Sequence, residues 1–134
     1  MQVFDGFVAA IASEFKIKFH KTHEGVYNTV IEFEGNRSQE VVLTLTHDES
    51  GDRLINYYAV IAKVKADYCE LFKYVLQLNS TIDYGAVALM DDMLIMRNTL
   101  LLDDCEPHQF VKSLTYIAAK ADELEEMLTK KDNN

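Results

Sequence analysis

Tryptophan is absent from this 134-residue chain, proline occurs once, cysteine twice and glycine five times. Each scarcity excludes something. One proline and five glycines leave no stretch with the composition of a flexible linker, so residues 1–134 read as a single domain with a polar tail from about residue 129. Cys69 and Cys105 stand in no CxxC or other metal-ligand spacing and read as reduced thiols, not as a disulfide framework. Positive charge is also short: 13 Lys and Arg face 22 Asp and Glu, for a formal net charge of −9. That deficit excludes a duplex-binding surface and adsorption to anionic lipid, since both need clustered basic side chains. No apolar run reaches the roughly 20 residues of a spanning helix. The N-terminal MQVFDGFVAAIASEF has no basic region ahead of it and carries Asp5 and Glu14 among its apolar residues, so it does not read as a secretory signal. A cytoplasmic protein is the expectation.

What the chain does have is apolar residues, 49% of it, arranged with period. Phe4, Phe7, Val8, Ile11 and Phe15 recur at three and four, which predicts a helix from about Val3 to Glu14. KIKFH alternates and allows a short strand. YNTVIEFE sets Tyr27, Thr29, Ile31 and Phe33 against Asn28, Val30, Glu32 and Glu34. After a turn at Gly35–Asn36, QEVVLTLTH sets Val41, Leu43 and Leu45 against Glu40, Val42, Thr44 and Thr46. DESGD turns the chain into RLINYYAVIAKV, a strand rich in β-branched and aromatic residues. Tyr68, Leu71, Phe72, Val75 and Leu76 then mark a helix with Asp67 at its N-cap. Pro107 opens a last helix capped by Asp104 or Cys105, with Phe110, Leu114, Ile117, Ala121, Leu124 and Leu128 as an a/d seam. The fold class is therefore α+β, an antiparallel sheet in the order α-β-β-β-α-β-β-α with one further short strand allowed before the first hairpin.

Between the last two helices lies YGAVALMDDMLIMRNTLLL, apolar except at its centre. A two-residue turn at Asp91–Asp92 pairs Met90 with Met93, Leu89 with Leu94, Ala88 with Ile95 and Val87 with Met96. One face then carries Val87, Leu89, Leu94, Met96, Leu100 and Leu102, and is the expected core side. The other carries Ala86, Ala88, Met90, Met93, Ile95, Arg97 and Thr99. That second face is too apolar for plain solvent exposure, and three readings of it stand: burial in the fold, a homodimer interface, or a groove for another chain. Ala88, Met90, Met93 and Ile95 are accordingly the candidate partner-binding or dimer residues. The seam on the last helix is expected to pack on the sheet or on a second copy of itself.

Chemistry finds little to attach to. His20 and His23 have no third ligand at a sensible spacing, and His47 is far along the chain. Asp103, Asp104 and Glu106 oppose activation of the Cys105 thiol. Asp122, Glu123, Glu125 and Glu126 read as a solvated face. Phosphate-cradling, dinucleotide and nucleophile-elbow patterns are absent. No enzyme activity, metal or cofactor is expected.

The element order resembles the fold of the bacterial type III secretion chaperones, the Tir-chaperone (CesT) class. ALMDDMLIMRNTLLL followed by CEPHQFVKSLTYIAAKADELEEML is similar to the YbjN family of sensory-transduction regulators, in which an apolar hairpin precedes a helix bearing an A-x-x-A-D-E-L segment, here Ala118, Ala121, Asp122, Glu123 and Leu124. The likeness spans the chain in topology and about Tyr84 to Leu128 in sequence. It implies a small acidic module, often dimeric, that binds protein: itself, or a segment of an effector or regulatory partner.

Overall fold

The computed structural model describes residues 2–65 and 69–132, with side chains as far as Leu128. Its elements are α1 (Gln2–Phe15), β1 (His20–His23), β2 (Val26–Phe33), β3 (Arg37–His47), β4 (Arg53–Lys63), α2 (Cys69–Leu78), a 3₁₀ turn (Asn79–Thr81), β5 (Ala86–Met90), β6 (Met93–Leu101) and α3 (Pro107–Asp132). The strands form one open antiparallel sheet in the order β1-β2-β3-β4-β6-β5. The protein is thus α+β, with four strands rather than three ahead of α2. The additional strand is not KIKFH. Lys16 turns out of α1 at φ 59°, Ile17 and Phe19 pack on the core, and pairing starts only at His20. The apolar side chains of that segment serve as anchors, and the strand is made by the polar HKTH after them.

Period-two alternation carried into the sheet as expected. Tyr27, Val41, Leu43, Ile55, Tyr57, Ala59, Leu94 and Met96 are buried on one side, in one cluster with Phe4, Val8 and Ile11 of α1 and Val75 of α2. Alternation also carries Ile61 inward, and an irregularity between Val60 and Ala62 then shifts the register so that Ala62 pairs with Leu94. The hairpin pairs Met90 with Met93 and Val87 with Met96, and Asp91 takes φ 55°, a conformation that aspartate tolerates.

All three helices lie against the same side of the sheet. Phe4 of α1 meets Tyr27 edge-to-face, and Phe7 meets Phe110 of α3 in the same way. Leu71, Val75 and Leu78 of α2 line an apolar groove with Ile61, Val87, Leu94 and Leu124. In α3, Phe110, Leu114, Ile117, Ala121 and Leu124 are buried against the sheet and Leu128 is half-buried, so the seam serves the core of one copy. Each fully buried Phe, Leu or Ile among them gains about 1.5–3 kcal/mol from burial, which is why this helix dominates the packing. Its first helical bond runs from the Phe110 amide to the Glu106 carbonyl, which places the N-cap at Glu106 instead of Asp104 or Cys105. The proposed cap at Asp67 and the stripe residue Tyr68 lie outside the described residues. Leu76 was expected in that stripe but is 71% exposed, because Leu78 takes the inward position.

A buried polar chain pins α3 to β4. The Ser113 hydroxyl donates to the Phe110 carbonyl (3.0 Å), so the Tyr57 hydroxyl, 2.5 Å away, donates to Ser113 Oγ and accepts from Asn98 Nδ2 at 2.9 Å. A second tie corrects the reading of the α3 acids as a solvated face. Arg37 pairs with Asp122 (3.1 Å) and Glu126, and Gln39 donates to Glu125 (3.1 Å) and Asp122 (3.4 Å). These carboxylates dock α3 onto the start of β3.

Candidate protein-binding surface

The other side of the sheet has no helix on it among the described residues. Register assigns its members: Asn28, Val30 and Glu32 from β2; Glu40, Val42, Thr44 and Thr46 from β3; Leu54, Asn56, Tyr58 and Val60 from β4; Ile95, Arg97, Thr99 and Leu101 from β6; Ala86, Ala88 and Met90 from β5. An apolar belt crosses the strands at mid-height. Val60 pairs with Ile95 and Ile95 with Ala88, while Val42 pairs with Tyr58 one step along. Val30 is 54% exposed and Val60 37%. Glu40, Val42, Tyr58 and Val60 also rim a shallow depression.

The four residues singled out on the hairpin share this bare face, but they are not equivalent. Ala88, Met90 and Met93 are half-buried. Ile95 is only 4% exposed, yet it stands outside the core cluster. Its cover comes from the flanking side chains on its own side of the sheet, Val60 and Ala88 among them. Leu89, placed on the core side by alternation, is 53% exposed, because β5 is the edge strand and nothing packs beyond it there. Tyr58, Val60 and Val42 were not among the sequence candidates. The alternation in LINYYAVIAK does place Tyr58 and Val60 together, but a strand apolar on both sides reads from sequence as buried on both sides.

Beside the belt lies a polar grid. Asn56 donates to Thr46 Oγ1 (2.6 Å) and accepts from Thr99 Oγ1 (2.7 Å); Arg97 Nη2 reaches Thr99 Oγ1 (2.7 Å) and Asn56 Oδ1 (3.3 Å). Arg97 is therefore held by neutral groups. The other two arginines are ion-paired, Arg37 with α3 and Arg53 with Asp103 at 2.5 Å. At the far side of β4, Glu40 accepts from Asn28 at 3.2 Å, and at the hairpin end Lys63 pairs with Asp92 at 3.4 Å.

The sheet's edges are less inviting than its face. On β5, both backbone groups of Val87 bond to the Asn79 side chain, the amide to Oδ1 at 2.7 Å and the carbonyl from Nδ2 at 3.1 Å. That side chain occupies the place an added strand would take. The opposite edge, β1, is four residues long and exposed throughout.

No group of three or more His, Cys, Asp or Glu among the described residues is placed to hold a metal ion, and His20, His23 and His47 are exposed. The Cys105 thiol is pushed up to about 11, by burial first and the neighbouring Glu106 second, which leaves it protonated at neutral pH. Among the described residues no helix is long and apolar enough to cross a membrane. No protein-family model matches the chain, and no curated protein matches its sequence.

Proposed function

We propose that this protein is a non-catalytic protein-binding module whose working surface is the bare side of its sheet. The observation that carries the reading is the one-sided placement of α1, α2 and α3, which leaves the Val42–Tyr58–Val60–Ile95 belt without a helix over it among the described residues. Apolar side chains on an open sheet face gain little within the monomer and shed water when a polypeptide docks. The resemblance to YbjN-type regulators and type III secretion chaperones supports the same class: a small, acidic, bacterial, cytoplasmic chaperone-like module acting on an effector or regulatory protein. The second reading is a regulatory or structural homodimer in which the face serves self-association alone. Its support is the same apolar belt, which a second copy of the sheet would cover as readily as another polypeptide.

Site-specific photocrosslinking in the host cell tests the reading. With p-benzoylphenylalanine at Val60, irradiation should yield covalent adducts with polypeptide. The same probe at Glu123, on the helix side, should yield far fewer. Equal yields from the two positions would reject the bare face as the working surface.

A further inference from the structure

We propose that the bare face receives an amphipathic helix of a partner protein, laid along β4 with an acidic flank over Arg97 of β6 and a basic flank over Glu40 of β3. The inference rests on the reading of that face as a protein-binding surface, and it names the form and the charge of what binds.

Form follows from where backbone hydrogen bonds can be made. The β5 edge is occupied by the Asn79 side chain and β1 is only four residues long, so the edges offer an added strand little. A segment lying on the face meets side chains, because the N–H and C=O groups of the sheet are used between its own strands. Such a segment has to satisfy its backbone internally, which a helix does. The dimensions agree. β3 and β6 flank β4 and lie two strand spacings apart, about 10 Å, and a helix with its side chains is about 10–12 Å across. The other side of the sheet already takes a helix in this way. There α3 packs chiefly on β4 with β3 and β6 beside it, lays Leu114, Ile117 and Ala121 on the strands, and sets Asp122 and Glu126 on Arg37 of β3.

Charge follows from what the face leaves unpaired. Arg97 is exposed, and its Nη2 is fixed by Thr99 Oγ1 (2.7 Å) and Asn56 Oδ1 (3.3 Å). Its Nη1 and Nε have no hydrogen-bond partner among the described residues. A guanidinium held at one end and open at the other is prearranged for a carboxylate. Tyr58, its register partner on β4, and Val60 provide an apolar floor beside it. Across that floor stands exposed Glu40, two residues along β3 from Val42, which pairs with Tyr58. Glu40 accepts from the Asn28 amide and pairs with no cation among the described residues. The two charges are therefore diagonal across β4, offset along the strands by about 7 Å, a little over one helical turn. One helix with apolar residues beneath, an acid on one flank and a base on the other meets all three features at once.

Three designed helical peptides of about 18 residues test this on the full chain. All share one leucine stripe; one carries glutamate on one flank and lysine on the other, one lysine on both, one glutamate on both. Binding is followed by fluorescence anisotropy in about 0.15 M salt, where charge acts over only about 8 Å. The mixed peptide should bind the wild type most tightly. Arg97→Glu should weaken it roughly three- to tenfold and make the lysine-flanked peptide the tightest. Glu40→Arg should shift the preference to the glutamate-flanked peptide. Arg97→Gln serves if Arg97→Glu lowers the melting temperature, and should erase the advantage of the mixed peptide over the lysine-flanked one. An order of affinities that ignores these substitutions overturns the proposal, as does tighter binding of a strand-forming peptide with the same charges. Binding that is lost as the concentration of the chain rises means that a second copy covers the face, which also overturns it. If no peptide binds, the helical partner is rejected. Adducts from the Val60 photoprobe then keep the face as a surface for polypeptide of another form, and their absence ends both readings.

Discussion

The two sides of the sheet are built from the same strands and differ in what lies on them. On the helix side, Tyr57, Val41, Leu43, Ile55 and Met96 interlock with Phe110, Leu114 and Ile117, and every one of these is essentially inaccessible to water. On the bare side, Val60, Tyr58 and Ile95 are of similar character but have no helix over them among the described residues. The helix side closes its polar groups internally, through Tyr57, Ser113 and Asn98. The bare side leaves a guanidinium and carboxylates facing outward. One side is a finished core; the other mixes apolar and charged side chains with no helix over them among the described residues.

Substitutions can break or sharpen that contrast. The largest effect belongs to the finished side. Leu114→Ala should cost about 2–5 kcal/mol in urea unfolding, because the cavity it leaves lies between α3 and the sheet. A loss below about 0.5 kcal/mol, the range of surface changes, would mean that α3 does not carry the core. Gly85→Ala comes next. Gly85 sits at φ 73°, and an added Cβ would lie 2.2 Å from the Arg97 carbonyl oxygen and 2.8 Å from Ile117 Cδ1. Backbone must give way, at a cost of about 1–3 kcal/mol. A melting temperature equal to wild type would contradict that close approach.

The bare side should respond less and unevenly. Ile95→Ala should cost about 1–2 kcal/mol, since its neighbours shelter it from water but no second layer surrounds it. Met93→Ser, beside the turn, should stay within about 0.5 kcal/mol. Equal losses at the two positions would mean that the bare face is packed as the core is. The smallest effect is electrostatic. Tyr27 donates to Asp5 at 2.6 Å and Lys21 pairs with it at 3.2 Å, and these hold the Asp5 carboxyl below its usual range. A depressed carboxylate adds stability above the unfolded value of about 3.8 and loses it as pH falls through the folded one. Asp5→Asn should therefore lower stability slightly at neutral pH, flatten the acid limb and converge on wild type as pH falls well below about 4. A loss that stays the same at neutral and at strongly acid pH would contradict the assignment.

Much of this architecture is readable from local pattern. Alternation assigned the two sides of β2, β3, β5 and β6 correctly, because a one-residue slip would reverse every side chain. The seam of α3 was equally plain. What local pattern missed depends on partners distant in sequence. HKTH becomes a strand only because Asn28 and Tyr27 are there to pair with it. Asp122 and Glu126 look like solvated acids until Arg37 arrives from β3, 85 and 89 residues away. Leu89 and Leu76 are apolar and exposed because β5 ends the sheet and α2 turns one stripe inward, neither of which their own segments encode. The candidate surface was half legible. The hairpin announced Met90, Met93 and Ile95, whereas Tyr58, Val60 and Val42 join them only once β4 is known to lie between β3 and β6.

Two exposed apolar surfaces are candidates for the proposed protein binding: the bare face, marked by Val60, and the outer side of α2, marked by Leu76. Photocrosslinking from Val60 beside Leu76, with melting curves for both probe-bearing chains, decides between them most directly. The account predicts adducts with polypeptide from Val60 and far fewer from Leu76, with both chains melting close to wild type. Adducts from Leu76 and none from Val60 would contradict it.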